Sequence, residues 1–235
     1  MWYQIARWGA NNPFLRMTLR PAWWFGKRAI RRRRLTHARK RLVGFVPPYR
    51  INAGCGEAYM SGWINIDVNA DVNQVDLVWD LARELPFPDE SCEVIFSEHV
   101  LEHLAVEQGV SFLRECHRTL CEGGVVRIAM PSLDDLIEKS ATGNWRDQSW
   151  LREESWKFIQ SRAEMFNIFF RWWGHQWIYD REELHRRLKE AGFEKIRDVS
   201  WGESEVETLN GLETRCDSLL ICEAVKASLN ATNAA

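Results

Sequence analysis

The chain has 235 residues, a formal charge of -2, 46% hydrophobic and 27% charged residues, which suits one globular domain with a short appendage and excludes a disordered chain. No run of 18 apolar residues occurs, so a spanning helix is excluded; Arg7, Asn11 and Asn12 interrupt the N-terminal apolar run before it reaches the length of a signal-peptide core. Six cysteines at irregular spacing form neither a disulfide framework nor a paired zinc motif, which points to a reducing, cytoplasmic setting.

Charge divides the chain. Residues 1–41 hold twelve of the 31 basic residues and none of the 33 acidic ones, leaving 19 basic against 33 acidic groups in the remainder. Trp2, Trp8, Trp23 and Trp24 lie in that basic segment. Residues 1–46 read as a helical arm broken at Pro13 and Pro21 and ended by Pro47-Pro48, with one helix from Lys27 to Val43. Three readings of the arm stay open. It is a solvated face, or residues 1–41 meet an anionic membrane surface with indoles at headgroup level, or arginines and tryptophans engage RNA; of the two partners, the membrane is preferred over RNA.

Strand and helix patterns alternate after the double proline. Tyr49 to Ala53 reads as a strand closed by Gly54-Cys55-Gly56, Trp63 to Asp67 as a second, Val75 to Trp79 as a third and Glu93 to Ser97 as a fourth. Val106 to Leu120 has helical spacing, with Val110, Leu113, Cys116 and Leu120 on one face and Glu115 and Arg118 pointing away. Glu122-Gly123-Gly124 ends it, and Val125 to Met130 is a fifth, buried strand. Asp180 to Ala191 is a helix, and Phe193 to Val199 and Leu219 to Val225 are late strands. The alternation predicts a doubly wound α/β sheet over residues 47–226, an aromatic-rich insertion over 141–178 and a disordered tail over 227–235.

Glycines after a first strand admit a ligand at the carboxyl edge of such a sheet, because backbone N–H groups approach it without a Cβ in the way. Asp67, ending the second strand, is placed to accept hydrogen bonds from two ribose hydroxyls. Asp80, before Leu81, either receives an adenine amino group or caps a following helix. His99, Glu102 and His103 follow the fourth strand, with His99 and His103 four apart so that one face presents both rings. They suit a general base, with His175 as a second candidate; no third ligand is evident for a metal, and none is expected. His117 and His185 are assigned to exposed helix faces. The stripe Phe166, Phe169, Phe170 and Trp173 is core packing or, on the sharper reading, an acceptor lid, with Arg162 and Arg171 holding an acidic group of the acceptor.

The runs INAGCGEAYMSGWINIDV, DLVWDLARELPFPDESCEVIFSEHVLEHL and FLRECHRTLCEGGVVRIAMPSLDDL resemble the Rossmann-like, class I S-adenosylmethionine-dependent methyltransferases, closest to the small bacterial type associated with surface-glycan synthesis. The resemblance covers about Arg50 to Leu136 and implies a mostly parallel sheet with an antiparallel C-terminal strand pair. It implies S-adenosyl-L-methionine as cofactor, with Gly54, Cys55 and Gly56 as the cofactor loop, Asp67 as the ribose acid, Asp80 and Leu81 on the adenine side, and Ser97, Glu98 and His99 at the methyl-donor pocket. The implied acceptor is a small molecule or glycan, including a lipid-linked precursor, which would place the enzyme on the inner face of the membrane. The alternatives are an RNA methyltransferase using the arm and an inactive cofactor-binding protein. Two departures are visible: Asn52 stands where an acid is common, and only ten residues separate Gly56 from Asp67, too few for a crossover helix, so Glu57 to Ser61 is expected as a turn.

Overall fold

A computed structural model describes residues 29–72 and 74–228, and the chain falls into two units, residues 1–43 and 44–235. In the first, a helix runs over residues 29–41 with Arg32, Arg33, Arg34 and Lys40 exposed. The four tryptophans and both proline breaks predicted for the arm lie outside the described residues, as do residues 229–235 of the tail. At the start of the tail, Ser228 Oγ donates to Glu122 Oε2 at 2.7 Å.

The second unit holds a seven-stranded sheet. Its strands are β1 Tyr49–Ala53, β2 Ile64–Asp67, β3 Leu77–Val78, β4 Cys92–Glu98, β5 Leu120–Met130, β6 Lys195–Asp198 and β7 Leu220–Val225, in the order β3-β2-β1-β4-β5-β7-β6. Strands β1 to β5 pair in parallel, while β7 runs antiparallel to both β5 and β6. The helices of this unit are α1 Val106–Thr119, α2 Leu133–Ala141, α3 Arg162–Arg171 and α4 Arg181–Glu190. Because β1 lies between β2 and β4, the strand order reverses there, and the carboxyl ends of β1 and β4 flank the crevice where open α/β sheets take ligands.

Central strands are apolar on both faces: Ile51, Ile64, Ile66, Ile95 and Val126 are almost wholly buried, as parallel strands covered on each side require. No helix forms among the described residues between β1 and β4. The β1–β2 link is a turn, as its length demanded, and of the two roles open to Asp80 the helix cap finds only a turn, with Asp80 Oδ1 accepting from Ala82 N at 3.0 Å. The third strand is shorter than predicted. By contrast β5 starts five residues early, at Leu120, because Gly123 in a left-handed conformation (φ +76°) lets the chain enter the sheet directly from α1.

Glu115 and Arg118 of α1 do not point idly to solvent. Glu115 accepts from Leu85 N at 2.8 Å, and Arg118 donates to the carbonyls of Leu85 and Phe87 at 3.1 Å each, clamping the segment that feeds β4. His117 and His185 are likewise half-buried rather than exposed. The His117 ring stands edge-on to Phe193 at 5.0 Å and burial lowers its pKa, while His185 Nε2 lies 2.8 Å from Asp198 Oδ1.

The insertion builds a small core of its own. Ser161 caps α3 in a reciprocal box with Glu164, and the helix then turns Met165, Ile168 and Phe169 inward against Leu136, Trp150 and Ile159. The predicted aromatic stripe is therefore shifted in register. Phe169 is buried, whereas Phe170 stays on the exposed side.

Candidate active site

The cofactor-side loop is organised by buried polar groups of two strands. Asn65 in β2 is wholly buried; its Oδ1 accepts from Met60 N and Asn52 Nδ2, and its Nδ2 donates to Met60 O and Asp76 Oδ2. Asn52 also donates to Ala58 O at 2.7 Å. These bonds replace the missing first helix as the support of the loop, and they spend the Asn52 amide on the protein itself. Asn52 is thus a loop anchor through its Nδ2, while its Oδ1 takes no part in these bonds.

Gly54 N and Cys55 N both donate to Ile66 O, and Gly56 N donates to Asp67 Oδ2 at 2.9 Å. The turn needs glycine first at residue 54, where φ is +75° and a Cβ would stand 2.1 Å from Val100 Cγ2. Asp67 keeps lone pairs on both oxygens, the other accepting from Asn69 N, and it remains partly exposed at the end of β2. Asp67 and burial together raise the Cys55 thiol to about 11, burial being the larger cause, so it stays protonated and unreactive. Ser97 near the end of β4 is 1% exposed, and its hydroxyl has no partner. A carboxylate with free lone pairs, a glycine turn beside it and an orphaned hydroxyl at the next strand end fit an adenosyl ligand. Asp80 accepts from Ala82 N and Arg83 Nε, one bond on each oxygen, and Leu81 is buried.

At the end of β4 the chain changes character. Glu98 does not face a ligand: its carboxylate accepts from Thr214 N, Thr214 Oγ1, Arg215 N and Ser218 Oγ, anchoring the loop before β7. His99 is left-handed (φ +52°), a conformation costly for a non-glycine residue and held here by His99 N donating to Ala129 O. It is not on a helix, so the expected shared face with His103 does not exist. Instead Leu101–His103 forms a single 3-10 turn that buries Glu102 and leaves His103 at the surface of a cavity.

Ser218 donates to the Glu98 carboxylate, so it can only accept from His99, and His99 Nε2, 3.1 Å away, carries a proton. His99 Nδ1 stands 3.2 Å from Glu102 Oε1 in ion-pair range. This ring holds Glu102 and is badly placed to take a proton from a substrate. Burial works against ionisation of Glu102, but His99 and His103 outweigh it and keep the carboxyl below its ordinary range.

His175 arrives from far along the chain. Gln176 N and Trp177 N donate to Glu102 O, and Gln176 Nε2 donates to His103 O at 2.8 Å, stitching residues 176–177 to the 3-10 turn. The His103 and His175 rings then meet at 4.9 Å, edge to face. His175 Nδ1 lies 2.6 Å from Phe169 O; a carbonyl only accepts, so the proton sits on Nδ1 and the lone pair on Nε2. Burial, the largest influence, lowers the His175 pKa, which keeps that lone pair available at neutral pH.

These groups border a cavity of about 630 Å³, whose other walls include Trp150, Trp156, Phe169 and Trp173 on one side and Thr214, Arg215 and Asp217 on the other. Trp150 and Phe169 of the insertion belong both to its buried cluster and to this cavity wall. Arg215 reaches this wall; Arg162 instead donates to Ser140 O at 3.1 Å.

Residues 51–128 match the methyltransferase-domain family. A probable S-adenosylmethionine-dependent methyltransferase of Mycolicibacterium smegmatis is 31% identical over 126 residues, covering 47% of this chain and 46% of that protein, so the chain spans about half the length of the curated relative it matches. A solved Thermotoga maritima S-adenosylmethionine-dependent methyltransferase, described as a possible histamine N-methyltransferase, shares the fold with a TM-score of 0.50 at 14% identity, over 90% of this chain and 96% of that one. An Archaeoglobus fulgidus S-adenosylmethionine-dependent methyltransferase superposes with a TM-score of 0.47 at 16% identity, over 83% and 93% of the two chains. The match to the methyltransferase-domain family thus falls on residues 51–128, within a fold shared with a solved S-adenosylmethionine-dependent methyltransferase, and it points to S-adenosyl-L-methionine as the cofactor.

Asp67→Ala is expected to weaken S-adenosylmethionine binding by about 10- to 100-fold, the worth of one or two hydrogen bonds to a charged acceptor, while leaving the melting temperature nearly unchanged. Calorimetric titration checks it; unchanged affinity would remove Asp67 from the ribose site.

Proposed function

We propose that the protein transfers the methyl group of S-adenosylmethionine to a hydroxyl of a glycan or lipid-linked glycan precursor held in the 630 Å³ cavity. One observation carries the reading: a single cavity joins an aromatic wall to the Glu102–His103–His175 cluster. Flat aromatic faces suit the apolar faces of sugar rings, and Arg215, Asp217 and Glu153 offer polar groups for ring hydroxyls.

The cofactor, when bound, supplies an electrophilic methyl group on a positively charged sulfur. The glycine turn at Gly54 and Gly56, Asp67 and Ser97 hold and orient it. Trp150, Trp156 and Trp173 align the acceptor and exclude water, which serves an in-line displacement. An alcohol oxygen must also lose its proton, and the cluster at Glu102, His103 and His175 is where that proton is removed; such assistance is typically worth about 10²–10⁴ in rate. His99 positions Glu102.

The test offers the full-length protein methyl-labelled S-adenosylmethionine with lipid-linked glycans, polysaccharide fractions, small amines and RNA in parallel. Label in O-methyl groups of a glycan fraction is the expected result. With that acceptor, Trp156→Ala should lower kcat/KM by about 10-fold or more with cofactor affinity unchanged, in keeping with the loss of a buried aromatic contact. Label confined to amines or RNA, or no label at all, would overturn the glycan reading.

A further inference from the structure

One donor atom from each of Glu102, His103 and His175 lies within 4.8 Å of the others. Glu102 is 1% exposed, yet neither of its carboxylate oxygens has a directed hydrogen bond. His99 Nδ1 at 3.2 Å and His103 Nε2 at 3.9 Å from Oε1 are its nearest nitrogen neighbours. This sealed carboxylate has only imidazoles for company, at ion-pair rather than short hydrogen-bond distances, and a cation placed among it and two of those rings would complete its partners.

Further features match a ligating set. His175 donates Nδ1–H to the Phe169 carbonyl, which orients the ring and turns Nε2 into a donor of an electron pair, the arrangement that outer hydrogen bonds impose on metal-bound histidines. His99, tied to Ser218, steadies Glu102 from the other side. His103 and His175 both line the cavity, so an ion among the three groups would border the space where an acceptor sits. Ligand atoms around a four-coordinate zinc stand about 3.4 Å apart, so modest side-chain rotation closes the set.

We propose that Glu102, His103 and His175 form a binding site for one divalent transition-metal ion of the zinc class, with a coordination position left open to the cavity for the acceptor's hydroxyl oxygen. Two nitrogens and one oxygen favour such an ion over magnesium or calcium, which prefer all-oxygen sets. The role of the open position rests on the methyl-transfer reading; the ion site does not. In the reaction the ion lowers the pKa of the bound hydroxyl, the O–H bond breaks with its proton passing to water, and the O–CH₃ bond forms as the S–CH₃ bond breaks, leaving a neutral thioether. His103 and His175 then act through the ion rather than as bases themselves.

The experiment titrates full-length protein, stripped by chelator, with Zn²⁺ and Mg²⁺ by calorimetry, and with Co²⁺ as a spectroscopic probe. Expected are one equivalent of Zn²⁺ bound, a tetrahedral Co²⁺ spectrum and no Mg²⁺ binding. His103→Ala and His175→Ala should each weaken Zn²⁺ by roughly 100-fold and abolish the metal-induced rise in melting temperature, while still binding S-adenosylmethionine. A control variant, Cys222→Ser, perturbs the other cluster of ligand-type groups, His185, Asp198 and Cys222, and should leave Zn²⁺ affinity unchanged. Absence of Zn²⁺ binding, binding lost only in Cys222→Ser, or affinity unchanged in both histidine variants would overturn the ion site. Full methyl transfer by stripped protein would overturn the ion's role at the open position and leave the methyl-transfer reading intact; a loaded ion with no transfer to any glycan would overturn that reading and leave the ion site intact.

Discussion

Arg127→Leu should destabilise the domain by about 3–5 kcal/mol, lowering the melting temperature by roughly 6–20 °C. Arg127 sits in the middle of β5 with no exposure, ion-paired to Glu213 and Glu223, both also sealed from solvent. Its register partner on β7 is Glu223, whose own partner on β6 is Arg197, so one row of the sheet reads Arg, Glu, Arg across β5, β7 and β6. Arg127 also donates to Glu203 O at 2.8 Å, and Glu213 Oε2 accepts from Gly202 N. Removing the guanidinium strands buried negative charge, and it frees the segment leading to Thr214 and Arg215 on the cavity wall. Arg127→Lys keeps the charge but loses the fork and should fall between the two. Thermal unfolding of all three proteins is the measurement; a leucine variant as stable as the parent would mean the carboxylates are not charged in the fold.

Gly54→Ala should weaken S-adenosylmethionine binding by about tenfold or more, a loss of about 1.4 kcal/mol for each tenfold. Two physical costs add there. Alanine in the left-handed region costs about 1–2 kcal/mol, and a Cβ 2.1 Å from Val100 Cγ2 forces either the loop or the Val100 side chain to move, an overpacking cost of about 1–3 kcal/mol. Val100→Ala in the same chain removes the clash and leaves the backbone cost, so the double variant should recover part of the affinity. Calorimetry on the two variants separates these parts. Parent-like affinity in Gly54→Ala would show that the turn does not shape the cofactor site.

Much of the sheet was legible because its signals are local. An apolar run such as VVRIAM, the alternation of INID, a glycine turn after β1 and helical spacing in α1 each depend on neighbours within one or two turns of chain. The shortened first crossover followed from arithmetic alone. What replaced it did not: Asn65 looked like a polar residue on an alternating strand, whereas it is the buried hub of the loop. A charged residue inside each of two apolar strands, Arg127 and Glu223, was a readable signal of pairing that composition and periodicity passed over.

The site divides along the same line. Glycines at 54 and 56 and an acid at 67 are a short-range pattern that the sequence by itself determined, and the resemblance of the surrounding runs to a methyltransferase family implied the cofactor. The histidines behaved differently. The four-residue interval between His99 and His103 suggested a helix face, but the left-handed backbone at His99 and a 3-10 turn put the two rings in unlike environments. The third member of the cluster lies 72 positions beyond His103 and meets it only because Gln176 and Trp177 hydrogen-bond to the carbonyls of the 3-10 turn. Glu98, an acid at a strand end, had the look of a ligand contact until the loop from Thr214 to Ser218 occupied its oxygens. Local chemistry writes a turn or a strand into neighbouring residues, and those the sequence determined. Which carboxylate is satisfied, which imidazole keeps a lone pair and which groups share a cavity depend on hydrogen-bond partners distant in the chain, and only the tertiary structure decided them.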